Sequence, residues 1–220
     1  MPPELRFSPY AWAKWEFLRD RGPTEIGGFG ISAPDDLLLV EDFVLLPQLT
    51  TAVTVAFDDA AVAEFFDRQV DLGRRPEQFA RIWLHTHPGN SADPSSPDEE
   101  TFDRVFGNCS WAVMGILARG GETYARFRCQ SAIALAAEIA VRVDFEAAFP
   151  GSDQAAWADE YDACVTVQDT LPMPRHSRRR LRHLAAAGHE LEFDTLDDPF
   201  GDLFAESCLE GRHDGDDEPL

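Results

Sequence analysis

The chain has 220 residues and a formal net charge of −21, from 40 acidic against 19 basic residues, and a surface so charged repels phosphate backbones and anionic headgroups. Nucleic acid and membrane are therefore poor partners, while a basic protein surface or an Arg-rich peptide would be steered toward it. With 44% hydrophobic residues, sixteen Phe and five Trp, there is ample material for a core.

The first residues lack the layout of a signal peptide, and no apolar run approaches the roughly 18 residues of a membrane span, so the expectation is a soluble, cytoplasmic protein. Cys109, Cys129, Cys164 and Cys208 are scattered without CxxC spacing and read as reduced thiols, not a disulfide or zinc-thiolate framework. Lys14 is the single lysine in a chain rich in Arg and Ala, a bias that suggests a bacterial genome.

In chain order, Ser8-Pro9 is a helix cap and first-turn proline, Trp12, Trp15 and Leu18 recur at helical spacing, and Gly22 is a stop. EIGGFGIS, 25 to 32, is extended but broken by glycines, and LLLVEDFVLL, 37 to 46, reads as one interrupted strand or two short ones. Val53, Val55 and Phe57 alternate as in a half-buried strand. Asp58 then opens a helix whose Val62, Phe65, Phe66 and Val70 share one face, ending near Gly73.

ARIWLHTH, 80 to 87, is a strand; SSPDEETFDRVFG opens a helix; WAVMGILA and ETYARFRC, joined through Gly120-Gly121, make a hairpin; Val141, Val143 and Phe145 form a weaker last strand. This order predicts a mixed β-sheet flanked by helices, of the α/β or α+β class. Beyond Phe149 the chain turns more acidic, with hints of three short amphipathic helices: Trp157 with Tyr161, Leu181 with Leu184, and Phe200 with Leu203 and Phe204. The closing GRHDGDDEPL has too little apolar area to order.

Side chains two apart on a strand share a face, so His85 and His87 point one way with Trp83, and Ile82 and Leu84 point the other. Two imidazoles so placed are preset as metal ligands. A hydrolytic zinc site wants three ligands from His and carboxylate with one position open. Pro88, Gly89 and Pro94 supply the turn that could return Asp98 to the strand end as the third ligand. SSPDEE is equally a helix start: Ser96, Pro97 and Glu99 form one capping box, and Ser95 with Asp98 offers another one residue earlier. Capping and ligation are compatible, since a helix start can hold Asp98 rigidly.

His85-Thr86-His87-Pro88 followed by Ser95 and Asp98 resembles the JAMM (MPN+, JAB-domain) signature of zinc metallo-isopeptidases, in the compact form of prokaryotic members. Glu25, after the first helix and at the start of a strand, occupies the place of the family's upstream glutamate. The resemblance spans about residues 8 to 148, or two thirds of the chain. It implies an MPN/JAB, cytidine-deaminase-like architecture, with residues 1–149 a metalloprotease domain and 150–220 an acidic extension of short helices. It also implies one Zn²⁺ per chain on His85, His87 and Asp98, which would lower the pKa of a bound water to about 7. Glu25 would be the general base and acid, and Ser95 the donor to the oxyanion.

The reaction implied is cleavage of the peptide or isopeptide bond after the C-terminal tail of a ubiquitin-like β-grasp protein, with that protein, its conjugates or other conjugation-pathway proteins as partners. The stretch after Asp98 runs at once into the next strand, without the long second insertion of larger eukaryotic members, so recognition would rest on the tail of one modifier. Two other readings stay open: a hydrolase of the same fold acting on a small-molecule amide or carrier-protein adduct, and a non-catalytic MPN scaffold. His176, His183, His189 and His213 read as solvated. The basic run PRHSRRRLRHL and the acidic, amphipathic DDPFGDLFAESCLE could dock on a partner or pack on the domain.

Overall fold

A computed structural model describes residues 2–130, 134–146 and 148–168. The basic run, the acidic amphipathic segment, the four tail histidines and Cys208 lie outside these. The chain runs through β1 (Glu4–Phe7), α1 (Pro9–Arg21), β2 (Gly27–Ala33), β3 (Asp36–Leu45), β4 (Gln48–Thr50), β5 (Val55–Phe57), α2 (Asp59–Asp71), α3 (Pro76–Phe79) and β6 (Ile82–His87). It continues through α4 (Ser96–Phe106), β7 (Trp111–Ala118), β8 (Thr123–Gln130), β9 (Ala134–Glu138), β10 (Ala140–Val143), α5 (Gln154–Cys164) and β11 (Val165–Val167). No helix among the described residues is long and apolar enough to cross a membrane.

Eight strands form one mixed sheet in the order β10-β1-β3-β2-β6-β7-β8-β9. Its two outermost strands are neighbours in sequence, separated only by Ile139, whose amide donates to Ala125 O at 2.9 Å. The sheet therefore curls until its edges are joined through one continuous run, which removes most of its exposed edge. A smaller sheet, β11-β4-β5, lies apart.

Alternation along β6 sorts the two cores. Ile82 and Leu84 join Trp15, Leu18 and Phe43 beneath α1, and Trp83 joins Phe65, Phe79, Phe102 and Phe106 beneath α2, α3 and α4. Both long early helices start as the sequence predicts: Ser8 Oγ accepts from Ala11 N at 3.1 Å and Asp58 Oδ1 from Ala61 N at 2.9 Å. Gly121, at φ 89°, turns the β7–β8 hairpin.

Some expectations change. The strand read over Val53–Phe57 is shorter, because Thr51 N donates to Thr54 O and Thr51 and Thr54 pair their hydroxyls, making a turn that leaves Val53 exposed. The last strand ends at Val143, and Phe145 is exposed. β1, α3, β9 and β11 are too short or too plain in pattern to read from sequence.

Trp157 and Tyr161 do share a helix, α5, and both are buried against α1. Lys14 reaches across this contact to Glu160 Oε2 at 2.7 Å and Asp42 Oδ1 at 3.1 Å. Burial alone would lower the pKa of its ammonium, but the two carboxylates raise it, so the charge persists at neutral pH. Glu160 also accepts from Leu45 N at 2.9 Å. Removing the ammonium strands two carboxylates that keep partial access to water, so Lys14→Met should cost about 2 to 3 kcal/mol, below the figure for a fully buried pair. Urea denaturation at pH 7 checks this.

Candidate metal centre

His85 and His87 end β6, where the antiparallel neighbour β2 and the parallel neighbour β7 flank it. Ligands of open α/β sheets gather beyond the carboxyl ends of such strands. The loop 88–95 then brings the start of α4 back over the strand end. It is tied down by Ala92 N donating to Glu122 Oε2 at 3.0 Å and by Arg119 N donating to His87 O at 2.9 Å.

Asp98 lies inside this arrangement. Its Oδ1 is 3.3 Å from His85 Nε2 and its Oδ2 3.4 Å from His87 Nε2, and one ligand atom from each residue lies within 4.8 Å of the others. Both Nε2 atoms are buried, yet neither makes a well-directed hydrogen bond. Orphaned ring nitrogens beside a carboxylate are costly unless a cation lies between them, so these residues fit a metal ion. His87 Nδ1 donates to Ser91 O at 3.1 Å, which fixes the tautomer and leaves Nε2 with its lone pair free to ligate. His85 is clamped by Trp83, stacked at 4.3 Å between centroids.

His85, His87 and Asp98 together form a candidate metal site. The mixed sheet with helices on both faces agrees with the MPN/JAB architecture that the motif implies. A solved JAB1/MPN domain protein from Archaeoglobus fulgidus is similar at 12% identity, covering 64% of this chain and 98% of that one with a TM-score of 0.32. So low a score carries no argument about this chain. No family model and no curated protein matches the chain.

The start of α4 decides between the two capping boxes. Ser95 is the cap: its Oγ accepts from Asp98 N at 3.3 Å and donates to Asp98 Oδ2 at 2.7 Å, while Ser95 N donates to the same Oδ2 at 2.7 Å. Ser96 and Glu99 do not form the box; Glu99 instead takes a two-pronged ion pair from Arg126 at 2.9 and 2.5 Å. One carboxylate thus closes the box with Oδ2 and faces both imidazoles.

Electrostatics follow from burial and charge. Burial pushes Asp98 upward, but the close His85 and His87 imidazoles and the Ser95 hydroxyl hold its pKa far below the carboxylate range. Complete burial lowers the pKa of His85 despite Asp98. Burial pulls His87 down as well, but Asp98, the Ser91 carbonyl and Glu25 outweigh it, leaving its pKa above 6.5. Glu25, buried just before β2, places Oε1 4.0 Å from His87 Nε2. Burial raises its pKa to about 7, with Asp98 adding to the rise and His87 opposing it.

The structure brings all five sequence-read residues to one place, and Trp83 beside them. A largely apolar recess of about 160 Å³, lined by Phe29, Val55, Phe57, Trp83, Arg104 and Val105 among others, shares Trp83 with the cluster, where that ring stacks on His85. Ser91 holds His87 through its carbonyl, and Gln48 and the Thr86 hydroxyl hold the backbone just after Glu25; neither the Ser91 carbonyl nor a lone Gln carries a sequence signal.

A ligating His must be neutral. Since His87 is the imidazole that holds a proton near neutrality, zinc affinity should be steady above its raised pKa and fall about tenfold per pH unit below it, one proton being displaced. Competition titration with a chromogenic chelator reads that slope. Ser95→Ala removes a bond to Asp98 and should weaken zinc binding by roughly tenfold, measured in the same assay.

Proposed function

We propose that the chain is a zinc-dependent hydrolase that cleaves the peptide or isopeptide bond following the C-terminal tail of a ubiquitin-like protein. One observation carries this reading: a carboxyl buried beside the metal-ligand triad without being one of its ligands. Glu25 faces His87 at 4.0 Å, and its carboxyl closes no helix cap that would explain its burial.

When bound, the zinc ion supplies Lewis acidity that polarises a carbonyl and makes water nucleophilic at neutral pH. The chain's own residues supply the rest. Asp98 stays ionised and His85 stays neutral, so the ligand set is ready without proton loss from either. Glu25, its pKa raised to about 7, accepts a proton at its carboxylate and returns it to the leaving amine. In the free protein Ser95 donates a hydrogen bond from its hydroxyl to Asp98. Turning that proton to the developing oxyanion costs Asp98 only one of its two bonds from Ser95, because the Ser95 amide stays at 2.7 Å.

The substrate class rests on shape and charge. β5 is an edge of the small sheet and borders the apolar recess, so an extended tail can add along it by backbone hydrogen bonds while an apolar side chain enters the recess. A cavity near 150 Å³ holds a benzene-sized group, which suits a leucine or an aromatic ring. The net charge of −21 favours a tail that carries arginine.

Glu25→Gln is expected to keep one zinc per chain and to lower turnover by about 10² to 10⁴. The assay is release of C-terminal extensions from β-grasp proteins, read by mass spectrometry, with the inactive variant used to capture its substrate from lysate. Turnover equal to wild type would remove Glu25 as the base. Wild type that binds no zinc would remove hydrolysis altogether.

A further inference from the structure

The segment that carries Glu25 enters β2 along an unusual path. Antiparallel pairing of β2 with β6 runs from Phe29–Trp83 to Gly27–His85 and then departs from the ladder. Thr86 N still donates to Ile26 O at 2.9 Å, but Ile26 N turns to the Thr86 hydroxyl at 3.2 Å. On its other side Gly27 meets a side chain in place of a strand: Gln48 Oε1 accepts from Gly27 N at 2.9 Å, and Gln48 Nε2 donates to Gly27 O at 2.9 Å and to Leu46 O at 2.8 Å. The carboxamide thus reproduces the paired donor and acceptor of a neighbouring strand at a buried position where water cannot.

The strand that presents Gln48 holds the same segment elsewhere. Glu25 N donates to Thr51 O at 3.0 Å, and the hydroxyls of Thr24 and Thr50 pair at 2.9 Å. β4 has only three residues, and half of its lateral support is β11, which pairs with it in parallel from Val165–Gln48 to Val167–Thr50 and continues through Gln168 N to Thr50 O at 2.9 Å. β11 follows α5 without a break, and α5 is anchored to α1 through Trp157 and the Lys14–Glu160 pair.

We propose that Gln48 is the positioning residue of Glu25, and that β11 of the C-terminal segment braces it. The route is α5 to β11, β11 to β4, and Gln48 to the Glu25–Gly27 backbone. The metal ligands come from β6 and α4, so they do not depend on this brace. The catalytic importance of the brace rests on the proposed role of Glu25; the brace itself does not.

The test uses the full 220-residue chain in three forms: wild type, Gln48→Met and Thr166→Pro. Methionine keeps the volume but pairs with neither Gly27 group. Proline at exposed Thr166 removes an amide from the side of β11 whose Gln168 amide bonds β4, and leaves the Gln48 carboxamide in place. Backbone amide exchange of the metal-free protein, followed by NMR, should quicken at Ile26 and Gly27 by tenfold or more in both variants. The amides of β7 should keep wild-type protection, and zinc affinity should stay within threefold of wild type.

Unchanged exchange at Gly27 in Gln48→Met overturns the positioning role, and unchanged exchange in Thr166→Pro overturns the brace. Loss of protection in β7 along with β2 overturns both, since that marks general destabilisation. Where wild type turns over a tail substrate, Gln48→Met should lower kcat at least tenfold with KM within twofold, and an unchanged kcat overturns the positioning role. Inactive wild type counts against the hydrolase reading, while the amide exchange still decides the brace.

Discussion

Two imidazoles buried side by side at the end of a strand are the constraint on which the rest of this structure turns. Neither His85 nor His87 can reach water with Nε2, and neither is satisfied by a protein donor. Asp98 is the one carboxylate placed against both, and its low pKa is the same electrostatic fact seen from the other partner. A negative group in an acidic chain is held there by the His87 imidazole and the two bonds from Ser95, or by one metal ion. The tight loop, the Ser95 cap and the Trp83 stack can be understood as what is needed to keep three polar side chains converged inside an apolar layer.

That convergence is supported from both faces of the sheet. On one side, Phe102 on α4 packs into the aromatic core, and Arg126 and Arg128 lie over its ring at 5.3 and 4.6 Å while pairing with acids of the same helix. The helix that carries Asp98 is thereby clamped along its length, not only at its cap. On the other side, α1 covers the face of β6 opposite the histidines and α5 packs on α1, with Trp157 donating to Tyr10 Oη at 3.1 Å. Elements far from the cluster in sequence therefore limit how far its members can drift, which is what preorganised sites require.

Much of the site was legible because it depends on short-range rules. The alternation of a strand places His85 and His87 on one face whatever the fold around them, and a capping box four residues long holds Asp98 whether or not a metal is bound. The choice between two overlapping boxes was not legible. Ser95 and Ser96 are chemically alike, and only the position of Arg126, 27 residues on from Glu99, draws that glutamate outward and leaves the earlier pair to cap. The missing short strands have the same cause, for a run of three or four residues carries too little periodicity to announce itself and forms because a neighbour offers a ladder.

By itself, then, the sequence determined the starts of α1 and α2, the central strands, and the shared face of the two histidines. Each is a property of residues within one turn or one pleat of one another, where bond geometry and local hydrogen bonding suffice. Only the tertiary structure decided that Glu25 stands over the triad, that a glutamine side chain substitutes for a strand behind it, and that the acidic C-terminal segment contributes α5 and β11 to the scaffold. Those depend on contacts between residues 20 to 150 positions apart, whose formation rests on the burial of whole faces and not on any local pattern.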